Sequence, residues 1–409
     1  MRSPANNPFV PGSDRVPEIW AGRALELADW RDVLTPRRLA GVYERGRIVV
    51  GEFGIGKSVL VNRIATEASE AGHWVAGHVR VPVGADALAL VAESIREVAA
   101  GRDLDARIGR RAGGLLQRVE ELTLPAIGGG VKLRPRPADP NAYRTVLRLL
   151  IEVATLAQAA GRLLVLRIDE VQNVAAPGPL SQLLTVLGDA LGATTTAVDI
   201  AGLQRDRVLP LAVYLSGLPD VGRKAGAAGA TFSRRFRALE LEPLDEQELR
   251  TGLAPFASEG WPVLAADGPD RVVMEPAGID LVVDRCVGDP FLFQLAGEAA
   301  WNAGTGAVIT VGEVERGWRS ARREVLRYVE ARLEGLTEPQ LAYLNAAAAL
   351  DDGDRTAASI ARALDRASST EIASTTRSLD VHHALIRRSA GRITFRSRAL
   401  QAHLRGDWP

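Results

Sequence analysis

The chain has 409 residues, 46% apolar and 24% charged, with 50 basic residues balancing 50 acidic ones. That length exceeds one ordinary domain, and the composition can bury a sizeable core, so two or three globular domains are expected. Zero net charge excludes a polycation or polyanion, and any nucleic-acid contact has to be local. The only cysteine, Cys286, excludes an intrachain disulfide and a cysteine-built zinc site, which points to a reducing compartment.

In chain order, residues 1–18 read as an irregular arm containing Pro4, Pro8, Pro11 and Pro17. The arm has no apolar leader segment, and no apolar run reaches the ~18 residues that suggest a membrane span. A cytoplasmic protein with no membrane partner is expected. Residues 19–243 alternate strand-like and helix-like runs. RIVVG (47–51), HWVAGHVRV (73–81), LLVLRID (163–169) and LAVYLSG (211–217) are short and apolar, as strands buried on both faces are. The alternation implies an α/β fold with a parallel sheet. Within residues 101–140, LTLPAIGGGVKLRPRPADP reads as an inserted hairpin. From 244 to 335 the strand signal fades and helices dominate. Residues 336–409 read as three helices followed by a hairpin around Ala390-Gly391.

GEFGIGKS (51–58) lies between the RIVVG strand and a helix-like run, the context in which G-x-x-x-x-G-K-[ST] holds phosphates. Gly51, Gly54 and Gly56 let the backbone of Gly51–Val59 (with Glu52, Phe53 and Ile55) turn its amides inward, at the positive end of the following helix. Lys57 would reach the β/γ-phosphates, and Ser58 would ligate Mg2+. Only three of the 50 basic residues are lysines (Lys57, Lys132 and Lys224), so a chance match is rare. LLVLRIDE ends in Asp169-Glu170. Asp169 would hold Mg2+ through water, and Glu170 would act as the general base on the attacking water. None of the lysines sits in the [NT]-K-x-D loop that reads guanine, so ATP is expected. The five histidines form no HExxH or triad, and G-x-S-x-G does not occur, which argues against a separate hydrolase site.

Four stretches extend this pattern to a family. NPFVPGSDRVPEIWAGRALEL, IDEVQN (168–173), LAVYLSGLPD and TFSRRFRALELEPL together resemble the AAA+-related STAND and archaeal-type P-loop ATPases, including origin-recognition and replication-initiator proteins. The resemblance implies an AAA+-like parallel sheet over 19–243, a helical lid with linker helix over 244–335, and a winged helix-turn-helix over 336–409. It places Gly22 and Arg23 near the nucleotide, although Ala24 stands where the family has glutamate. It makes Ser216 a candidate sensor and Arg235 an arginine finger for a neighbouring subunit, with Arg234 the alternate. CVGDPFLFQ resembles the G-x-P element of STAND proteins, whose proline, here Pro290, packs on the nucleotide. A simple helix start, with Asp289 as cap and Pro290 in the first turn, explains the same residues. Phe291 stands where AAA+ motors carry a lid arginine, which implies slow, regulatory hydrolysis.

Residues 381–409 hold six arginines and one aspartate. Arg387, Arg388 and Arg392 cluster at the expected wing, and Ser374 and Arg377 lie on the polar face of the third helix. Both are expected to contact duplex DNA. The expected function is a slow ATPase switch that couples ATP state to homo-oligomerisation and DNA binding. The alternative is a STAND-type signalling or defence ATPase whose winged helix binds protein. Any effector protein would then be a separate chain.

Overall fold

The computed structural model describes residues 2–409 except 13–14, 105–106, 109–114, 116–139, 176–177, 199–201, 222–223, 225–231, 266–267 and 407. The hairpin expected within 122–140 lies outside the described residues. The described chain divides into two compact units. One contains residues 23–51 and 57–241. The other contains 1–22, 52–56 and 242–409.

The first unit is built on a six-stranded sheet in which every pairing is parallel. Helices α1 (Ala24–Ala28) and α2 (Thr35–Leu39) precede β1 (Gly46–Val50), whose five residues are all buried. Then follow α3 (Lys57–Glu70), β2 (Trp74–Val75), β3 (Val79–Arg80), α4 (Ala87–Ala100), α5 (Pro140–Ala159) and β4 (Leu164–Asp169). The expected strand over 73–81 is thus two short pieces, both paired to β4, with Trp74 opposite Leu164 and Val79 opposite Ile168. Between them the Gly77 carbonyl accepts the Ser94 hydroxyl of α4 at 2.9 Å, which diverts the backbone from the ladder.

Next come α6 (Gly178–Gly192), a polar hairpin of β5 (Thr194–Val198) and β6 (Gln204–Val208), β7 (Leu211–Gly217), α7 (Phe232–Arg235) and β8 (Phe236–Glu240). The main sheet runs β2-β4-β7-β1-β8, with β3 beside β4. β8 has no apolar run because it is an edge strand on which Arg237 and Glu240 are exposed. Its register is set by packing, since a Cβ on Gly46 would lie 2.6 Å from the ring of Phe236, its partner. The apolar faces of α4, α5 and α6 close one core over the sheet.

The second unit begins with the arm, where Phe9 stacks on Phe256 at 5.6 Å. It continues with α8 (Glu246–Ala257), β9 (Trp261–Ala265), β10 (Gly268–Met274), α9 (Pro276–Cys286), α10 (Pro290–Asn302), β11 (Val308–Ile309) and α11 (Val311–Glu330). Helices dominate here, and the three-stranded sheet β11-β10-β9 accompanies them. The signal is weak because β9 is an edge strand carrying Pro262, a position where a missing N–H is tolerated. Cys286 is buried, and burial pushes its thiol up to about 12, so it is a core residue rather than a reactive one.

The unit ends with α12 (Glu338–Ala349), α13 (Ala357–Ala363), α14 (Ala373–Val381), the antiparallel pair β12 (Ile386–Ser389) and β13 (Arg392–Phe395), and α15 (Arg398–Arg405). Thr337 and Gln340 form the expected capping box of α12. Ser368 and Glu371 do not open α14. Glu371 accepts the Ser368 amide in a preceding turn, and the helix starts at Ala373. Helix α15 was not anticipated. Beyond it Trp408 is buried and donates to the Arg285 carbonyl at 2.9 Å. Among the described residues no helix is long and apolar enough to cross a membrane.

Candidate nucleotide-binding and hydrolysis site

In the first unit the sheet brings the ends of β1, β4 and β7 side by side. Val50 is in register with Gly217, and Ile168 with Leu215. Residues that leave these strands therefore meet at one edge, as open α/β sheets bring their carboxyl ends together.

Asp169, the last residue of β4, is 2% exposed. Its Oδ2 accepts the Ser58 hydroxyl at 2.6 Å and lies 3.6 Å from His78 Nε2. Its Oδ1 accepts the Ser216 hydroxyl at 2.6 Å and the Glu170 amide at 2.8 Å. Burial alone would raise this carboxyl. The hydrogen bonds from His78, Ser216, Ser58 and the Glu170 amide outweigh it and hold Asp169 well below the usual carboxylate range. Ser216, expected as a sensor of the terminal phosphate, thus spends its hydroxyl on Asp169. His78 was not anticipated, because its position is visible only once β3 lies beside β4.

Glu170 adopts a left-handed conformation (φ +58), which swings its side chain out of the strand path. Gln172 donates to its Oε2, and Arg80 Nη2 lies 3.7 Å from its Oε1. The rest of the IDEVQN turn is tied down as well. Gln172 Oε1 accepts the Leu218 amide at 3.2 Å, and Asn173 donates to the Val81 carbonyl at 2.9 Å. A Cβ on Gly217 would come within 2.8 Å of that same Oε1. The turn is therefore tied to the segments that follow β3 and β7.

Lys57 opens α3, and its ammonium donates to the Gly51 carbonyl at 3.0 Å. Arg23 precedes α1 with φ +64 and is buried, and Ala24 opens the helix. Arg235, at the end of α7, pairs with Asp189 of α6, which also accepts the Tyr143 hydroxyl. Arg234 beside it is exposed.

In the second unit, residues 52–56 form the tip of the loop. A Cβ on Gly22 would lie 2.6 Å from Glu248 Oε1, so the arm passes too close for any side chain there. Asp289 caps α10, accepting from the Phe291 amide at 2.9 Å and the Leu292 amide at 3.2 Å, with Pro290 in the first turn. Asp289 and Pro290 thus make the helix start that the sequence allows. Ser374 and Arg377 are exposed on α14, and Arg388 and Arg392 are exposed on the hairpin. Arg387 pairs with Glu242 at 3.0 Å.

These residues fit a magnesium nucleotide. A Cβ on Gly56 would meet nothing within 4 Å among the described residues, which leaves the loop open at that point. Two hard oxygens, Ser58 Oγ and Asp169 Oδ2, converge as Mg2+ requires.

Residues 19–192 match the family model of the AAA ATPase domain. The fold is that of the P-loop AAA+ ATPases, a parallel α/β sheet with the phosphate loop between its first strand and helix. Among solved structures, the ORC2 protein of Aeropyrum pernix in its ADPNP–ADP complexes is 15% identical with a TM-score of 0.52, covering 97% of this chain and 93% of that one. The Walker-type ATPase paby2304 of Pyrococcus abyssi is 15% identical with a TM-score of 0.51, covering 88% and 90%. No curated protein matches the sequence. At these identities the likeness is one of fold, and it extends over nearly the whole chain, beyond the AAA ATPase domain itself.

Proposed function

We propose that the chain is an ATP-binding, slowly hydrolysing switch that couples its nucleotide state to self-association and to duplex DNA through a C-terminal winged helix. The observation that carries the reading is the meeting of Ser58 with Asp169 at the carboxyl edge of a parallel AAA+ sheet.

The loop amides from Gly51 to Val59 would hold the phosphates, with the Lys57 ammonium moving from the Gly51 carbonyl onto the terminal phosphate oxygens. Ser58 and Asp169 would hold Mg2+, with Ser216 and His78 orienting Asp169. When bound, the metal would offset phosphate charge. Glu170 would take the proton of the attacking water. Its carboxylate is engaged by Gln172 and Arg80, which supports slow turnover. Arg23 would border the nucleotide. In an oligomer Arg235 would leave Asp189 to reach a neighbour's ATP.

The DNA part of the reading rests on the exposed Ser374, Arg377, Arg388 and Arg392. The Arg387–Glu242 pair favours the rival, a STAND-type signalling ATPase whose winged helix binds a separate effector protein, because it already uses one wing cation. Size-exclusion of wild type and Glu170→Gln with MgATP, with and without duplex DNA, tests the proposal. The Glu170→Gln protein should associate with ATP and co-elute with DNA at low salt. If Lys57→Ala changes neither nucleotide binding nor oligomeric state, the switch reading fails.

A further inference from the structure

The outer face of a phosphate loop is its carbonyls and α-carbons, because its amides turn inward. In the second unit that outer face is gripped. Arg332, just past the end of α11, donates from Nη2 to the Phe53 carbonyl at 3.1 Å. The Tyr328 hydroxyl lies so close behind Gly54 that a Cβ there would sit 1.9 Å from it. Gly54 also has φ +81, so two independent constraints demand glycine at that position.

The group that grips the loop is itself fixed. Asp289 Oδ2 accepts the Tyr328 hydroxyl at 2.8 Å and Arg332 Nη2 at 3.3 Å, while its Oδ1 caps α10. Arg332 Nη1 donates to the Tyr328 carbonyl at 3.1 Å, Nη2 donates to the Tyr328 hydroxyl at 2.8 Å, and the guanidinium lies over the Tyr328 ring at 4.2 Å. The ring packs in turn on Phe291, 4.2 Å between centroids. The Arg332 and Asp289 side chains are 7% and 10% exposed, so this is a buried ion pair and not a solvated surface one.

A cluster that only joined α10 to α11 would need no bond to the loop. Here one guanidinium ties the loop backbone, the start of α10 and the end of α11 together, and α12 begins six residues further on, at Glu338. The sequence places Phe291 where AAA+ motors carry a lid arginine; in the structure a cation reaches the loop from the end of α11 instead.

We propose that Arg332, held by Tyr328 and Asp289, is a positioning residue for the phosphate loop and couples nucleotide occupancy of that loop to the segment leading into the C-terminal helices. This rests on the nucleotide-binding reading above. The bond fixes the Phe53 peptide, and with it the direction of the neighbouring amides, before nucleotide arrives. By linkage, a nucleotide that needs this loop shape steadies the Arg332 bond and the end of α11 as much as the bond favours the nucleotide.

The test is MgADP affinity by titration, with hydrogen exchange over residues 328–340 in the same samples, for wild type, Arg332→Ala and Tyr328→Phe. Arg332→Ala should bind about tenfold more weakly, the scale of one lost hydrogen bond from a charged donor. It should also lose the slowing of exchange that MgADP causes in wild type. Tyr328→Phe, which keeps the Arg332 donor, should fall between the two in both readouts. It decides the matter if Arg332→Ala does not melt cooperatively. Wild-type affinity in Arg332→Ala, or weakened affinity with the exchange response intact, overturns the proposal while leaving the ATPase reading standing. A wild type that binds no nucleotide overturns both.

Discussion

The Ser58 hydroxyl lies 2.6 Å from Asp169 Oδ2, although 111 residues separate the two in the chain. The parallel order of β1, β7 and β4 makes the contact, because the helix after β1 and the end of β4 emerge at the same sheet edge. Ser58→Ala removes one of the two converging oxygens and leaves the loop amides in place. Nucleotide affinity measured with Mg2+ is expected to fall about tenfold, while affinity measured in EDTA stays unchanged.

Ser216 is buried and donates to the other Asp169 oxygen. Ser216→Ala leaves that carboxylate less firmly oriented. The steady-state phosphate-release rate is expected to fall by about 10- to 100-fold, the usual scale for outer-shell partners of a metal site. The free energy of unfolding should fall by only about 1–3 kcal/mol.

Arg235 and Tyr143 both bind Asp189. Burial would raise this carboxyl, but Tyr143 and Arg235 outweigh it and hold the carboxyl below its ordinary value. A depressed folded-state value adds stability above the ordinary carboxylate range and loses it as pH falls through that range. Asp189→Asn should therefore destabilise the protein at pH 7. Its deficit against wild type in urea midpoints should shrink as pH falls below about 4.

Gly288 has φ +82, and a Cβ there would lie 2.6 Å from the Leu244 carbonyl oxygen. Leu244 donates its amide to the Gly288 carbonyl at 2.8 Å, so the two backbones cannot separate without losing that bond. Gly288→Ala is expected to cost at least the left-handed penalty of about 1–2 kcal/mol, read from the denaturation midpoint.

Arg388 and Arg392 are exposed on paired strands, with Ser389 opposite Arg392. If the hairpin meets DNA phosphates, Arg388→Ala and Arg392→Ala should each reduce the slope of log affinity against log salt by about one. Fluorescence anisotropy on a labelled duplex across a salt series measures this. An unchanged slope in both would favour the protein-binding rival.

The parallel core was legible because buried strands announce themselves as apolar runs and the glycine-lysine loop has a chemistry of its own. The same rule hid β8 and β9, whose edge positions leave polar and proline residues in strands. Asp169 and Ser58 could be named from motifs. His78, Arg80 and Arg332 could not, because each acts through a neighbour supplied by sheet pairing or helix packing. Ser216 could be singled out as a polar side chain at a strand end, but which oxygen it serves depends on the β4–β7 register. In the last seventy residues the capping box of α12 was readable, whereas the Ser368–Glu371 pair closed a turn and did not start a helix.

Hydrolysis by wild type and Glu170→Gln tests the central claim most directly. The nucleotide bound to each protein after incubation with MgATP is identified by acid quench and chromatography. Wild type should hold ADP, and Glu170→Gln should hold intact ATP with turnover reduced by about 10²- to 10⁴-fold, the usual contribution of a general base. Equal turnover in the two proteins, or no bound nucleotide in either, would contradict the account.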